Sequence, residues 1–132
     1  MMQNNLDNTF IITRETPGKL PSLPFLRIKN SILGPDYELS LAFVGRKRAI
    51  ELHQVWKKKD DPVNILSFPL SKNEGEIIIS LEKARRECRH FERGYENYLA
   101  FLFIHGCMHL KGYTHGNAME AAEKKIRTQF GI

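Results

Sequence analysis

The segment His105-Gly106-Cys107-Met108-His109-Leu110-Lys111-Gly112-Tyr113-Thr114-His115 carries three histidines at spacings from which a helix and the turn after it can hold one metal ion. Residues four apart project from one helix face a turn apart, so the rings of His105 and His109 can reach a common point. Gly112 falls where a helix can end in the left-handed conformation, and a reversal there brings His115 back to the same point from outside the helix. Three neutral imidazoles leave a tetrahedral ion with one open position. That suits water or hydroxide and hydrolytic chemistry, whereas a structural zinc usually takes four protein ligands.

The pattern H-x3-H-x2-G-x2-H equals the metzincin zinc signature at every ligand position, but Gly106 stands where those peptidases carry the glutamate that activates water. The ligand frame of a zinc hydrolase is present and the peptidase base is not. Cys107 lies two positions from His105, on a different helix face, and reads as a buried small apolar residue rather than a nucleophile or fourth ligand.

These ligands need a helix to carry them. Tyr95 to Lys111 reads as that helix, with Tyr98, Leu102, His105 and His109 along one stripe that joins core to ligands. Upstream, Thr9 to Thr13 is a short β-branched and aromatic run, and Ser22 to about Leu33 reads as a helix ended by Gly34-Pro35. Tyr37 to Val44 alternates as a strand, and Arg46 to Lys58 places Ile50, Leu52, Val55 and Trp56 at roughly helical spacing. Ile65 to Pro69 and Ile77 to Ile79 read as a hairpin around the polar turn Ser71 to Gly75. Ser80 is placed to cap a helix from Leu81 to about Arg89. A last helix, about Ala118 to Gln129, sets Met119, Ala122, Ile126 and Phe130 on one side and closes at Gly131. The expectation is a single α+β domain over residues 1–132, with a sheet of about four strands covered by helices.

At 132 residues and 42% hydrophobic composition the chain can bury a core without disulfides or a structural metal, so the metal reads as functional. Cys88 and Cys107 form neither a disulfide framework nor a CxxC site, and the N-terminal residues show no export signal, so the expected location is the cytoplasm. The longest apolar run, Leu99 to Ile104, is too short to span a bilayer. The formal net charge is +5, with basic residues gathered at Arg46-Lys47-Arg48, at Lys57-Lys58-Lys59 and at Arg85-Arg86 with Arg89. Such clusters can contact phosphates, although charge runs on helices are more often solvated faces.

The histidine block, the Asp60…Asn64-Ile65-Leu66-Ser67-Phe68-Pro69 segment, Gly75-Glu76-Ile77-Ile78-Ile79-Ser80 and Met119-Glu120-Ala121-Ala122-Glu123 together resemble the bacterial YbeY endoribonuclease family from about Leu39 onward. A glycine after the first histidine separates that family from the peptidases. The resemblance implies a zinc-dependent, single-strand-specific endoribonuclease with one zinc per chain. Its substrate would be ribosomal RNA, in maturation of the small-subunit 3′ end and in ribosome quality control. It also implies His105, His109 and His115 as metal ligands and the position after Trp56 as a phosphate contact. There the family's usual arginine is Lys57, which keeps the charge but not the planar bidentate geometry. Apart from the resemblance, Ser67, on the strand preceding Pro69, reads either as lining the cleft through its hydroxyl in a catalytic role or, equally well, as an edge-strand serine satisfying local backbone groups. Val63 replaces a usual threonine, and Thr114 replaces the usual aspartate before the third histidine, bringing no charge to tune a ligand. Gly75-Glu76 stands where Gly-Asp is more usual.

Three functions are consistent with these residues: the metal-dependent endoribonuclease, a zinc peptidase lacking its glutamate, and a ribosome-associated module whose metal is structural. Chelator-sensitive RNA cleavage, robust casein proteolysis and unfolding on metal removal, respectively, distinguish them.

Overall fold

The computed structural model describes residues 2–56 and 64–132. Strands β1 (Met2–Asp7), β2 (Phe10–Arg14), β3 (Glu38–Val44), β4 (Ile65–Ser71) and β5 (Glu74–Ser80) form one sheet in the order β1-β2-β3-β5-β4. The two outer pairs, β1 with β2 and β4 with β5, are antiparallel, and β3 runs parallel to both β2 and β5. Helices α1 (Phe25–Ile32), α2 (Arg46–Trp56), α3 (Leu81–Glu87), α4 (Tyr95–Lys111) and α5 (Asn117–Phe130) complete the domain, with a 3-10 turn at Cys88–Phe91 between α3 and α4.

The expected α+β fold is present, and the β4–β5 hairpin and the bounds of α4 fall where the sequence placed them. The sheet has five strands rather than about four. The additional one, β1, has the sequence MQNNLD, which lacks the apolar alternation that marks a half-buried strand; it is recruited by pairing with β2. The expected helix after Ser80 ends two residues early as α3 and tightens into the 3-10 turn, which Glu92 closes at φ 53°. Ser80 caps α3 as expected, its hydroxyl accepting from the Lys83 amide at 3.2 Å.

Period-two alternation sorts the strand side chains between two faces. Phe10 and Ile12 of β2, Leu39, Leu41 and Phe43 of β3, and Ile77 and Ile79 of β5 enter the main core beneath α1, α4 and α5. Val44, Leu66 and Ile78 join Ala49 of α2 in a smaller cluster. Helix α4 is the centre of the main core, with Leu99, Phe103, Ile104 and Cys107 fully buried. The Phe103 ring stacks on Phe10 at 5.9 Å and meets the Phe25 ring edge-on at 5.1 Å. Burial also pushes the Cys107 thiol far up, so it stays protonated, in keeping with a packing role.

Two features fix how α4 lies on the sheet. A Cβ at Gly106 would stand 2.9 Å from Ile65 Cδ1 and 3.0 Å from Ser67 Oγ, so the helix approaches β4 tightly at the residue after the first histidine. A Cβ at Gly75 would overlap the Tyr37 hydroxyl and crowd Leu110 at 3.0 Å. Lys29 of α1 is fully buried, donating to Thr9 Oγ1 at 2.9 Å; Thr9 in turn donates to Asp7 Oδ1 at 2.7 Å, so a relayed contact offsets the buried charge. Burial lowers the Lys29 pKa.

Candidate metal centre

His105 and His109 lie in the last turns of α4, and Gly112 caps the helix at φ 114°, a left-handed conformation natural to glycine. The amides of Gly112 and Tyr113 turn back onto the carbonyls of His109 and Met108 at 3.0 Å each. The chain then returns His115 toward the helix, as its sequence predicts. The three ligand atoms lie within 4.8 Å of one another, so the histidines are positioned to bind a metal ion.

The hydrogen bonds on the far sides of the rings decide what faces the centre. Glu123 of α5, itself buried, places Oε2 2.8 Å from His105 Nδ1. A carboxylate only accepts, so His105 Nδ1 is the donor, and Nε2 is the nitrogen left to ligate when the ring is neutral. His109 Nδ1 donates to the Tyr113 carbonyl at 3.2 Å, which fixes the same tautomer. The two Nε2 atoms face each other 3.1 Å apart, and in the neutral rings that a metal requires both present lone pairs. That arrangement is repulsive alone and attractive around a cation. The separation is close to the roughly 3.3 Å between nitrogens on a tetrahedral zinc. Burial, and next the neighbouring His105, lower the His109 pKa and favour the neutral ring a metal requires. The donor set thus fits a borderline metal such as zinc, and three imidazoles accept other first-row metals too.

The site opens on both sides. One cavity of about 510 Å³, lined by Asn64, Ser67, Phe68 and the three histidines, runs along β4. Another, of about 460 Å³, reaches from His105 and His115 to Phe91, Phe101 and Arg127. Ser67 lines the first, its hydroxyl donating to the Gly106 carbonyl at 3.4 Å, so it joins β4 to α4 beside the ligands. Lys57 lies outside the described residues, as do Asp60, Val63 and the Lys57-Lys58-Lys59 run. Thr114 is exposed, and the carboxylate that orients a ligand comes instead from Glu123. Sequence reasoning singled out the Met119 to Glu123 block but gave Glu123 no role. Its spacing from His105 carries no signal, because it follows from how α5 packs on α4.

The other basic clusters are partly engaged. Arg46 and Arg86 both pair with Glu82, at 3.4 and 3.3 Å, and Arg48 pairs with Glu51 at 3.7 Å. Arg85 lies over the Tyr95 ring at 4.0 Å. Among the described residues, no helix is long and apolar enough to cross a membrane.

Fold and site together define an α+β domain with a zincin-like metal helix, a glycine in the place of the peptidase glutamate, and the third ligand on the following turn. The sequence profile of the family Endoribonuclease YbeY matches residues 23–131, and the chain belongs to that family. It is 35% identical over 106 residues to Endoribonuclease YbeY of Alkaliphilus metalliredigens, covering 72% of this chain and 68% of the relative. To the enzyme of the same name from Rhizobium etli it is 34% identical over 109 residues, covering 72% of this chain and 64% of the relative. A solution structure from Thermotoga maritima superposes with a TM-score of 0.65 at 26% identity, covering 92% of this chain and 89% of the other. The match begins upstream of Leu39 and so takes in α1, which lies against α4.

Proposed function

We propose that residues 1–132 form one zinc-dependent endoribonuclease domain that cuts single-stranded ribosomal RNA, at the small-subunit 3′ end and in ribosome quality control, in the cytoplasm. The observation that carries this reading is the three-histidine cluster, with the His105 and His109 Nε2 atoms facing each other, at the meeting of two open cavities in a member of an endoribonuclease family. When bound, zinc supplies Lewis-acid charge that acidifies water or polarises a phosphate oxygen.

The chain's own residues do the rest. His105, His109 and His115 hold the ion, and Glu123 and the Tyr113 carbonyl keep the His105 and His109 rings in the binding tautomer. Ser67 secures the cleft wall next to the ligands. Lys57 supplies positive charge to the phosphate in the reacting state, in the place of the family's usual arginine. A peptidase would need an acid at position 106, and there the backbone lies so close to Ile65 and Ser67 that even a Cβ would force its neighbours to shift. The half-buried site, at the rim of the main core rather than within it, speaks against a purely structural metal.

The test compares zinc-loaded wild type with His109→Ala, purified identically, on a labelled single-stranded ribosomal RNA 3′-end fragment. Cleavage by wild type alone, abolished by a chelator and restored by zinc, is expected. Equal cutting by both proteins would refute the assignment, as would casein proteolysis lost in His109→Ala.

A further inference from the structure

The cavity on the α5 side of the histidines has walls that metal binding does not need. Phe91, on the 3-10 turn, stacks on Tyr98 with centroids 5.2 Å apart and lies 6.0 Å from Phe101, yet it remains 51% exposed. Tyr98 and Phe101 are themselves stacked at 5.8 Å, so three rings form a continuous aromatic platform whose outer member is open. Phe101 is one helical turn from His105, about 6 Å along the axis.

Two guanidiniums border this platform. Arg93 lies 4.5 Å and Arg127 5.4 Å from the centre of the Phe101 ring. Among the described residues, neither has a carboxylate within ion-pair distance, unlike Arg46, Arg48 and Arg86. Burial first, and the Arg127 charge second, push the Arg93 pKa below its ordinary value, so the two cations act against each other. Arg93 also donates to Asn97 Oδ1, and an anion near both guanidiniums relieves their repulsion. Of the carboxylates in the cavity wall, Glu123 is committed to His105 and Glu120 is exposed to solvent screening.

We propose that this cavity is a nucleobase subsite, in which one base of a single-stranded RNA stacks on the open side of Phe91 and its phosphate lies against Arg93 and Arg127. The proposal rests on the ribonuclease reading and adds where the strand beside the cut is held. An aromatic ring accepts any base face, so the subsite favours unpaired nucleotides without reading sequence. A base held in a duplex cannot reach the platform without unpairing.

The experiment is a fluorescence-anisotropy titration of the full, zinc-loaded chain with a labelled short 2′-O-methyl oligouridylate. Wild type, Phe91→Leu, Phe91→Tyr and Arg127→Gln are compared, with cleavage of unmodified RNA assayed beside it. Leucine keeps apolar packing on Tyr98 while removing the ring, and thermal melting verifies its fold. Phe91→Leu should weaken binding roughly 5- to 100-fold, and Phe91→Tyr should bind like wild type. Arg127→Gln should flatten the slope of log affinity against log salt by about 0.7. A duplex of equal length should not distinguish wild type from Phe91→Leu. If wild type cuts single-stranded RNA while Phe91→Leu binds as tightly as wild type, the subsite is refuted and the ribonuclease reading stands. If wild type neither binds nor cuts RNA, both fall.

Discussion

At the scale of single residues, the hydrogen bonds behind the histidines govern the site. Glu123 orients His105, and such partners typically govern metal affinity by 10- to 100-fold. Glu123→Ala should therefore weaken zinc binding about that much in a chelator competition, and Glu123→Gln, which keeps an acceptor without charge, should fall between. His109 gives a pH dependence. Its folded pKa lies below the unfolded value of about 6.5, so between those values the unfolded chain binds more protons. Stability of the metal-free protein should be full above about pH 6.5 and decline as pH falls toward the folded pKa. Melting temperatures from pH 8 down to 5 should show that slope, and His109→Ala should flatten it. The three ligands were legible because i, i+4 spacing and a capping glycine are local. Glu123 and the Arg93–Phe101–Arg127 arrangement were not, because tertiary packing alone brings those residues together.

At the scale of elements, α4 is held by close approaches rather than by a strong amphipathic pattern. It is buried on several sides, and its position on the sheet depends on Gly106 and Gly75. Gly75→Ala should destabilise the domain by about 2 kcal/mol, as overpacking of a filled core does. The obstacle is the Tyr37 hydroxyl, a buried group without a hydrogen-bond partner among the described residues. Tyr37→Phe alone should change little, and combined with Gly75→Ala it should recover much of the loss. Urea unfolding of the two single variants and the double variant measures this, and strict additivity would refute the contact. Helix α4 could be read from sequence because the stripe from Tyr98 to His109 and the stop at Gly112 mark it, whereas β1 is written in polar residues and depends on β2.

At the scale of the whole molecule, the main core is built from β2, β3, β5, α1, α3, α4 and α5 with Cys88 of the 3-10 turn, and the histidines lie at its rim. Removing metal should leave a folded protein with one cooperative thermal transition. Metal in 100-fold excess over its dissociation constant adds about 2.7 kcal/mol, so the melting temperature should rise with the logarithm of free zinc. Loss of cooperative unfolding in chelator would instead mark a structural ion. The sheet also leaves β4 as an outer strand alongside the histidine cleft, interrupted by Pro69 and a register shift before Ser71. Proline is admitted to such strands with its missing N–H turned outward, so the free rim offers a broken row of donors. A passing polypeptide, or a second copy of this sheet, finds no continuous ladder to extend there. A polymer without amides loses nothing by the gap, so one imino acid screens the cleft against its commonest intruders.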